Sequence, residues 1–159
     1  MSILKVNTIQ HANGTNAMTI DSSGNANLSG YVIKSNHPYF YAQSSTTQTS
    51  QVFVGNTVYS NRGGNYDSSN GRFTCPVDGI YIFSFNANGA GSGEGIGFWF
   101  LKNGTEISGS RVYDAINANS PTNETIILEL QQNDYIQVYI GALGITGGDW
   151  NHFSGYLLG

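Results

Sequence analysis

An all-β sandwich is the fold this sequence predicts, and three observations predict it. Gly, Asn, Thr or a β-branched residue interrupts nearly every window in which a helix would have to form. Short β-prone runs alternate with turn chemistry along the whole chain. Two segments keep strict period two: Tyr81, Phe83 and Phe85 recur on one face of a strand, and Ile136, Val138 and Ile140 alternate with Tyr135, Gln137 and Tyr139.

Taken in order, residues 1–30 read as a separate unit. Leu4 to Ile9 is β-prone, Asn13-Gly14 is a two-residue hairpin signal, and Ala17 to Ile20 is the return strand. Ser22-Ser23-Gly24-Asn25 makes a second turn, and Ala26-Asn27-Leu28 is a third strand. So small a meander buries little apolar surface and needs a partner to hold it. Residues 31–36 form a junction, and the main domain runs over 37–159.

Pro38 to Ala42 is its first strand, followed by a polar loop over 44–50. Val52-Phe53-Val54 and Thr57-Val58-Tyr59 are strand pieces, and 61–70 reads as loop with turns at Gly63-Gly64 and Asn70-Gly71. Arg72-Phe73-Thr74 enters a corner at Pro76-Val77-Asp78-Gly79, and Ile80 to Asn86 is a central strand. A glycine-rich loop over 87–95 leads to Phe98-Trp99-Phe100-Leu101, four large apolar residues in a row. Such a strand needs cover on both faces: the core on one, a loop or another subunit on the other. Asn103-Gly104 turns the chain; Arg111 to Tyr113, Thr125 to Leu130 and Tyr135 to Ile140 are further strands. Phe153 to Leu158 closes the chain as an apolar strand that belongs inside a sheet.

The 159 residues suffice for one domain with an appendage and a core that needs no staples. Charged residues are 10% of the chain, the net charge is -4, and the six Lys and Arg are scattered, which excludes a nucleic-acid binder. No run approaches the ~18 apolar residues of a membrane span. The first residues lack a signal peptide's apolar core; with Met1 as the natural start, the expectation is synthesis in a cytoplasm without export by that route. The single Cys75 cannot form an intrachain disulfide and reads as a buried thiol.

Asn61, Tyr66, Phe73, Gly79, Tyr81, Phe83 and Phe85 stand at the spacings of a specific pattern, with Asn133-Asp134-Tyr135-Ile136-Gln137-Val138 and Phe153-Ser154-Gly155-Tyr156-Leu157-Leu158 near the end. On these residues 37–159 resemble the globular C1q family, which shares its jelly roll with the tumour-necrosis-factor ligands. There are two departures: Asn133 stands where the family has Gly, and an earlier family Phe would fall at Gly55, with Phe53 nearby. The resemblance implies a C1q/TNF-like jelly-roll β-sandwich working as a homotrimer, with Phe73, Gly79, Tyr81, Phe83 and Phe85 in its structural motif. Leu4-Lys5-Val6-Asn7-Thr8-Ile9-Gln10 and Gly14 to Ile20 resemble the start of structural and fibre-like proteins of marine tailed phages. That second resemblance implies a virion location, with an extracellular one as the alternative. It also implies an N-terminal arm, carried by Leu4, Val6 and Ile9, that holds the protein to other virion proteins.

The sites weigh against catalysis. Gly89 to Gly95 lacks the Gly-Lys-Ser/Thr ending and helix of a phosphate loop. His11, His37 and His152 stand apart from any Cys or carboxylate at ligand spacing. No Ser-His-Asp arrangement or carboxylate pair stands out. Asn13, Asn27, Asn103 and Asn123 open formal glycosylation triplets that read as turns. Trimeric relatives sometimes hold Ca2+ through oxygen ligands, and Asp67, Asp78, Asp114 and Asp149 in loops offer such oxygens; no other cofactor is expected. Tyr39, Tyr41, Tyr135 and Tyr139 are expected to share a face of two neighbouring inner-sheet strands and to line the threefold axis. The expected function is a non-enzymatic trimeric fibre, spike or appendage. Its loops over 44–50, 87–95, 115–123 and 143–151 would meet a host-surface glycan or protein. The alternative is a stand-alone bacterial or secreted C1q-like lectin or adhesin.

Overall fold

The structure, a computed structural model, describes residues 6–29, 36–89, 96–114 and 121–158. Leu4, nearly all of the junction, and most of the loops over 87–95 and 115–123 lie outside the described residues. Every regular element among the described residues is a strand. In chain order they are β1 (Thr8–Gln10), β2 (Asn16–Ile20), β3 (Ala26–Leu28), β4 (Tyr39–Ser44), β5 (Gln51–Val52), β6 (Thr57–Arg62), β7 (Tyr66–Asp67) and β8 (Arg72–Thr74). Then come β9 (Gly79–Asn88), β10 (Ile96–Lys102), β11 (Thr105–Glu106), β12 (Val112–Asp114), β13 (Pro121–Leu130), β14 (Tyr135–Ile140) and β15 (Asn151–Leu157). The chain divides into two compact units, residues 1–35 and 36–159.

The first unit is an antiparallel meander, β1-β2-β3. Ile9, Met18 and Leu28 stand opposite one another across its strands. The first hairpin is not the two-residue turn that Asn13-Gly14 suggests. The His11 N–H donates to Thr15 O and the Gly14 N–H to His11 O, so residues 12–14 make the loop, and only Gly14 takes a positive φ. The second turn is tied by the Asp21 carboxylate, which accepts the backbone N–H groups of Ser23 and Asn25, each at 2.9 Å.

The second unit is a two-layer jelly roll. One sheet runs β13-β9-β15-β4-β6; the other runs β11-β10-β14-β8-β7, with β12 on β10 and β5 on β14. The closing strand β15 lies between β9 and β4, as its apolar sequence requires. Alternation decides the core. Tyr81, Phe83 and Phe85 of β9 and Ile136, Val138 and Ile140 of β14 are all fully buried, one set from each sheet. Phe40 stacks on Tyr66 at 4.8 Å and on Phe73 at 4.9 Å, and meets Phe153 edge-on at 4.8 Å. Such pairs add about 0.5–1.5 kcal/mol each beyond the area they bury.

The patterned residues each acquire a local cause. Asn61 spans Tyr66, donating Nδ2 to its carbonyl at 2.8 Å and accepting its N–H at 3.0 Å. Tyr66 in turn accepts the Gly55 N–H at 2.9 Å. A Cβ at Gly55 would lie 2.7 Å from Ala42 Cβ, so no side chain fits there. The ring is supplied by fully buried Phe53, whose N–H donates to Val138 O at 2.7 Å. The Tyr81 hydroxyl donates to Val77 O at 2.8 Å and closes the corner before β9. Asn133 takes φ 73, the left-handed conformation that explains glycine at this place and that Asn tolerates better than most residues.

Several boundaries differ from expectation, among them β13, which starts at Pro121 rather than Thr125, and β15, which starts at Asn151 rather than Phe153. Residues 61–70 are not wholly loop: Tyr66 and Asp67 pair with Phe73 and Arg72, because the Asp67 side chain caps the turn between them. Thr105 and Glu106 pair back on β10 across Asn103 and Gly104, both at positive φ. Of Val52-Phe53-Val54 only Val52 joins a strand, since Phe53 leaves the edge to enter the core.

Candidate functional site

Tyr39, Tyr41, Tyr135 and Tyr139 do not form one face. Tyr39 and Tyr41 lie on β4, in the five-stranded sheet, and Tyr135 and Tyr139 on β14, in the other. Both pairs point away from the core, so they stand on opposite outer faces of the sandwich. Period two shows which residues share a side of a strand; it carries no information about which layer that strand joins. Tyr135 and Tyr139 are also already engaged: the Arg72 guanidinium lies 3.7 Å from the Tyr135 ring, and Trp99 stacks on Tyr139 at 4.9 Å. That stack supplies the second cover for Phe98-Trp99-Phe100-Leu101. Phe98 and Phe100 face the core, and Trp99 is flanked by Tyr139 and the Arg111 guanidinium at 3.9 Å, side chains of its own sheet.

The outer face of the five-stranded sheet is the candidate interaction surface. Its strands align outward residues in rows. Ile127, Ile82, Tyr156, Tyr39 and Arg62 make the first, with Arg62 5.3 Å above the Tyr39 ring. Thr125, Ser84, Ser154, Tyr41 and Ser60 make the second, where the Thr125 hydroxyl meets that of Ser84 at 3.1 Å. Asn123, Asn86, His152, Gln43 and Thr57 make the third. Ile80, opposite Glu129, extends the apolar end. The face is thus banded, apolar at one end, hydroxylic in the middle and amide-rich at the other. Ile127 is 63% exposed, Ile80 and Tyr156 46% each, and Tyr59, 5.6 Å from Tyr41, 65%. Ile80, Ile82, Tyr59, Ile127 and Tyr156 were not legible as a set, because only strand order brings them together.

The remaining candidates are placed as follows. Phe73, Tyr81, Phe83 and Phe85 are core, and Gly79 opens β9 opposite Leu130. In the meander, Val6 is half-buried and Ile9 exposed. The His37 ring bonds the Leu157 carbonyl, and His152 lies 5.2 Å from the Tyr41 ring with burial pulling its pKa below the ordinary value. Burial pushes the Cys75 thiol up to about 12. Asp78 accepts the Gln132 N–H at 2.7 Å and Asp149 the Gln43 amide at 2.9 Å, while Asp67 caps its own turn. No group of three or more His, Cys, Asp or Glu suited to a metal occurs among the described residues. The loops over 44–50 and 143–151 interlock. Gln48 exchanges backbone hydrogen bonds with Ile145, its side chain holds Ser44 and Val54, and Trp150 stands exposed beside them in sequence with Asn151, which bonds Thr146 O and the Asn88 N–H.

Comparison with known proteins accords with this geometry. The chain is 26% identical over 103 residues to Caprin-2 of Danio rerio, a match covering 64% of this chain and 11% of that protein's length. The globular domain of zebrafish complement 1qA protein superposes with a TM-score of 0.57 at 22% identity, covering 77% of this chain and 98% of that one. Murine APRIL superposes with a TM-score of 0.61 at 15% identity, covering 77% and 99%. These two likenesses are of fold. Residues 39–158 match the C1q domain family, and the chain belongs to it.

Proposed function

We propose that this chain is a non-enzymatic, homotrimeric structural protein of a phage particle, a fibre, spike or appendage whose C1q head attaches to a host surface. C1q-family domains are typically trimeric binding modules and generally lack catalysis. The observation that carries the reading is the apolar end of the five-stranded sheet. Ile80, Ile127, Tyr156 and Tyr39 lie in water on a single copy, with Tyr59 exposed beside the middle row, and closing three copies on a shared axis buries them at about 25 cal/mol per Å2. The meander supports the same assembly, because among its described residues Ile9 and Leu28 stay exposed and Met18 is only half-buried. Residues 1–30 join the particle and the head faces outward, where three copies raise avidity for a weak ligand.

Native mass measurement tests the assembly. The intact chain is expected to be a trimer, and Ile127→Asp, which changes an exposed side chain, is expected to give folded monomer. A wild-type chain that stays monomeric and folded sinks the reading. Placement in a virion is tested by mass spectrometry of purified particles; absence of the protein leaves a stand-alone bacterial or secreted C1q-like lectin or adhesin. The match to the C1q domain family is equally compatible with that second reading.

A further inference from the structure

The three short strands of the meander sort their side chains onto two unlike faces. Ile9, Met18 and Leu28 stand directly opposite one another and share one side, where Ile20 and its partner Ala26 lie two residues further along. Thr8, Thr19 and Asn27, also directly opposite one another, make the other side. An antiparallel sheet with one apolar and one polar face is covered on the apolar one and wet on the other. Yet Ile9 is 48% and Leu28 53% exposed on a single copy.

Size, tethering and charge together select the cover. At ~4.8 Å per strand and ~3.4 Å per residue, three strands of this length present a face on the order of 250 Å2. That is well below the ~800 Å2 that each partner of a standard stable interface contributes. A free partner does not stay on so small a face, because a bimolecular contact must first offset lost translational and rotational freedom. A sister arm escapes that cost. Leu28 precedes Tyr39, the start of β4 in the sheet that closes the trimer, by eleven residues, a reach of at most ~40 Å. Arms tethered that closely meet at an effective concentration of about the millimolar range. Charge permits the match. A face on a threefold axis meets copies of itself, so any charge on it meets its own sign. None of the residues in β1, β2 or β3 is charged, and the Asp21 carboxylate just past β2 is spent on Ser23 and Asn25 in the turn. We propose that the apolar faces of three meanders close on one another around the threefold axis, Met18 of the middle strand β2 innermost, and only once the heads have joined. The polar side of Thr8, Thr19 and Asn27 then faces outward and is the side left for the particle. This rests on the reading of the chain as a trimer and names the partner of its arm.

The test is disulfide trapping in the intact chain, with copper phenanthroline in air as the oxidant and native mass measured alongside. The native Cys75 is fully buried and stays out of the reaction. Met18→Cys is expected to form interchain disulfide-linked dimers roughly tenfold faster than Thr19→Cys, its neighbour on the polar side. Ile20→Cys, on the same side of β2 as Met18, is the second probe and is expected to behave like Met18→Cys. In the Ile127→Asp background, where the heads stay apart, both are expected to lose that advantage at the same dilution. A trimeric mass with Met18→Cys and Ile20→Cys no faster than Thr19→Cys overturns the arm contact and keeps the trimer reading. So does a trimer in which Thr19→Cys links fastest, which puts the apolar side against another partner. Fast linking that survives unchanged in monomeric heads overturns the dependence on the heads. A wild-type chain that stays monomeric overturns the trimer reading and this proposal with it.

Discussion

Gly155 shows how tightly single residues are specified. It lies in the middle of β15, where a Cβ would stand 2.4 Å from Phe83 Cδ1 and 3.0 Å from Phe40 Cε1. Phe83 has little room to yield, being fully buried against Phe73 and Phe153. Gly155→Ala is expected to cost about 1–3 kcal/mol through overpacking. Calorimetry should show a Tm lower by roughly 2–12 °C at this chain length; an unchanged Tm would mean that the ring moves freely. Phe83 itself was legible from alternation. The need for glycine opposite it was not, because the two residues meet only when β15 and β9 pair.

At the scale of elements, the turn from β13 to β14 is held by one carboxylate. Asp134 pairs with Lys102 Nζ at 2.8 Å and accepts the Asn103 side-chain amide at 2.7 Å and the Gln131 N–H at 2.9 Å. The Lys102 contact comes first among the causes that hold its pKa at about 2. A depressed carboxylate stabilises fully above its unfolded value of 3.8, and that contribution is lost as pH falls from there through about 2. The pair is near the surface, so screening limits it to about 1 kcal/mol or less. Asp134→Asn is expected to lower the urea midpoint at pH 7 and to match the wild type near pH 2; an equal gap at both would assign the effect to packing. The Asn-Asp-Tyr run signalled a strand entry. Its ion pair was not legible, because Lys102 and Asp134 meet only when β10 pairs with β14.

For the whole molecule, the banded face is expected to make assembly sensitive to acid. In the proposed trimer each copy contributes a His152 from the face that closes. Each lies opposite the uncharged Asn86 and Gln43, and Gln43 also holds Asp149. Burial already depresses the His152 pKa below its ordinary 6.5, opposed by a backbone hydrogen bond at Trp150, and a closed interface deepens the burial. Released chains then take up protons first, so the trimer is fully stable at neutral pH and weakens as pH falls through the depressed His152 pKa of the free chain, below the ordinary histidine value. Sedimentation at pH 7.5 and 5.5 should show dissociation at the lower pH, and His152→Gln should abolish the difference. A wild-type trimer equally tight at both would exclude the histidine effect.

The sequence by itself determined most strands and their inward residues, because side-chain alternation and turn chemistry are local properties of the chain, but not β7, β11 or the loop of the first hairpin. Tyr81, Phe83, Phe85, Ile136, Val138 and Ile140 were assigned to the interior without any knowledge of their neighbours. Only the tertiary structure decided which strands share a layer, and with that the fate of the tyrosines. Tyr39 joined an apolar row with Ile127 and Tyr156 and Tyr41 the hydroxyl row beside it, while Tyr135 and Tyr139 were covered by Arg72 and Trp99 on the opposite side. The physical reason is that strand pairing joins residues far apart in the chain, and no local pattern encodes the identity of the partner.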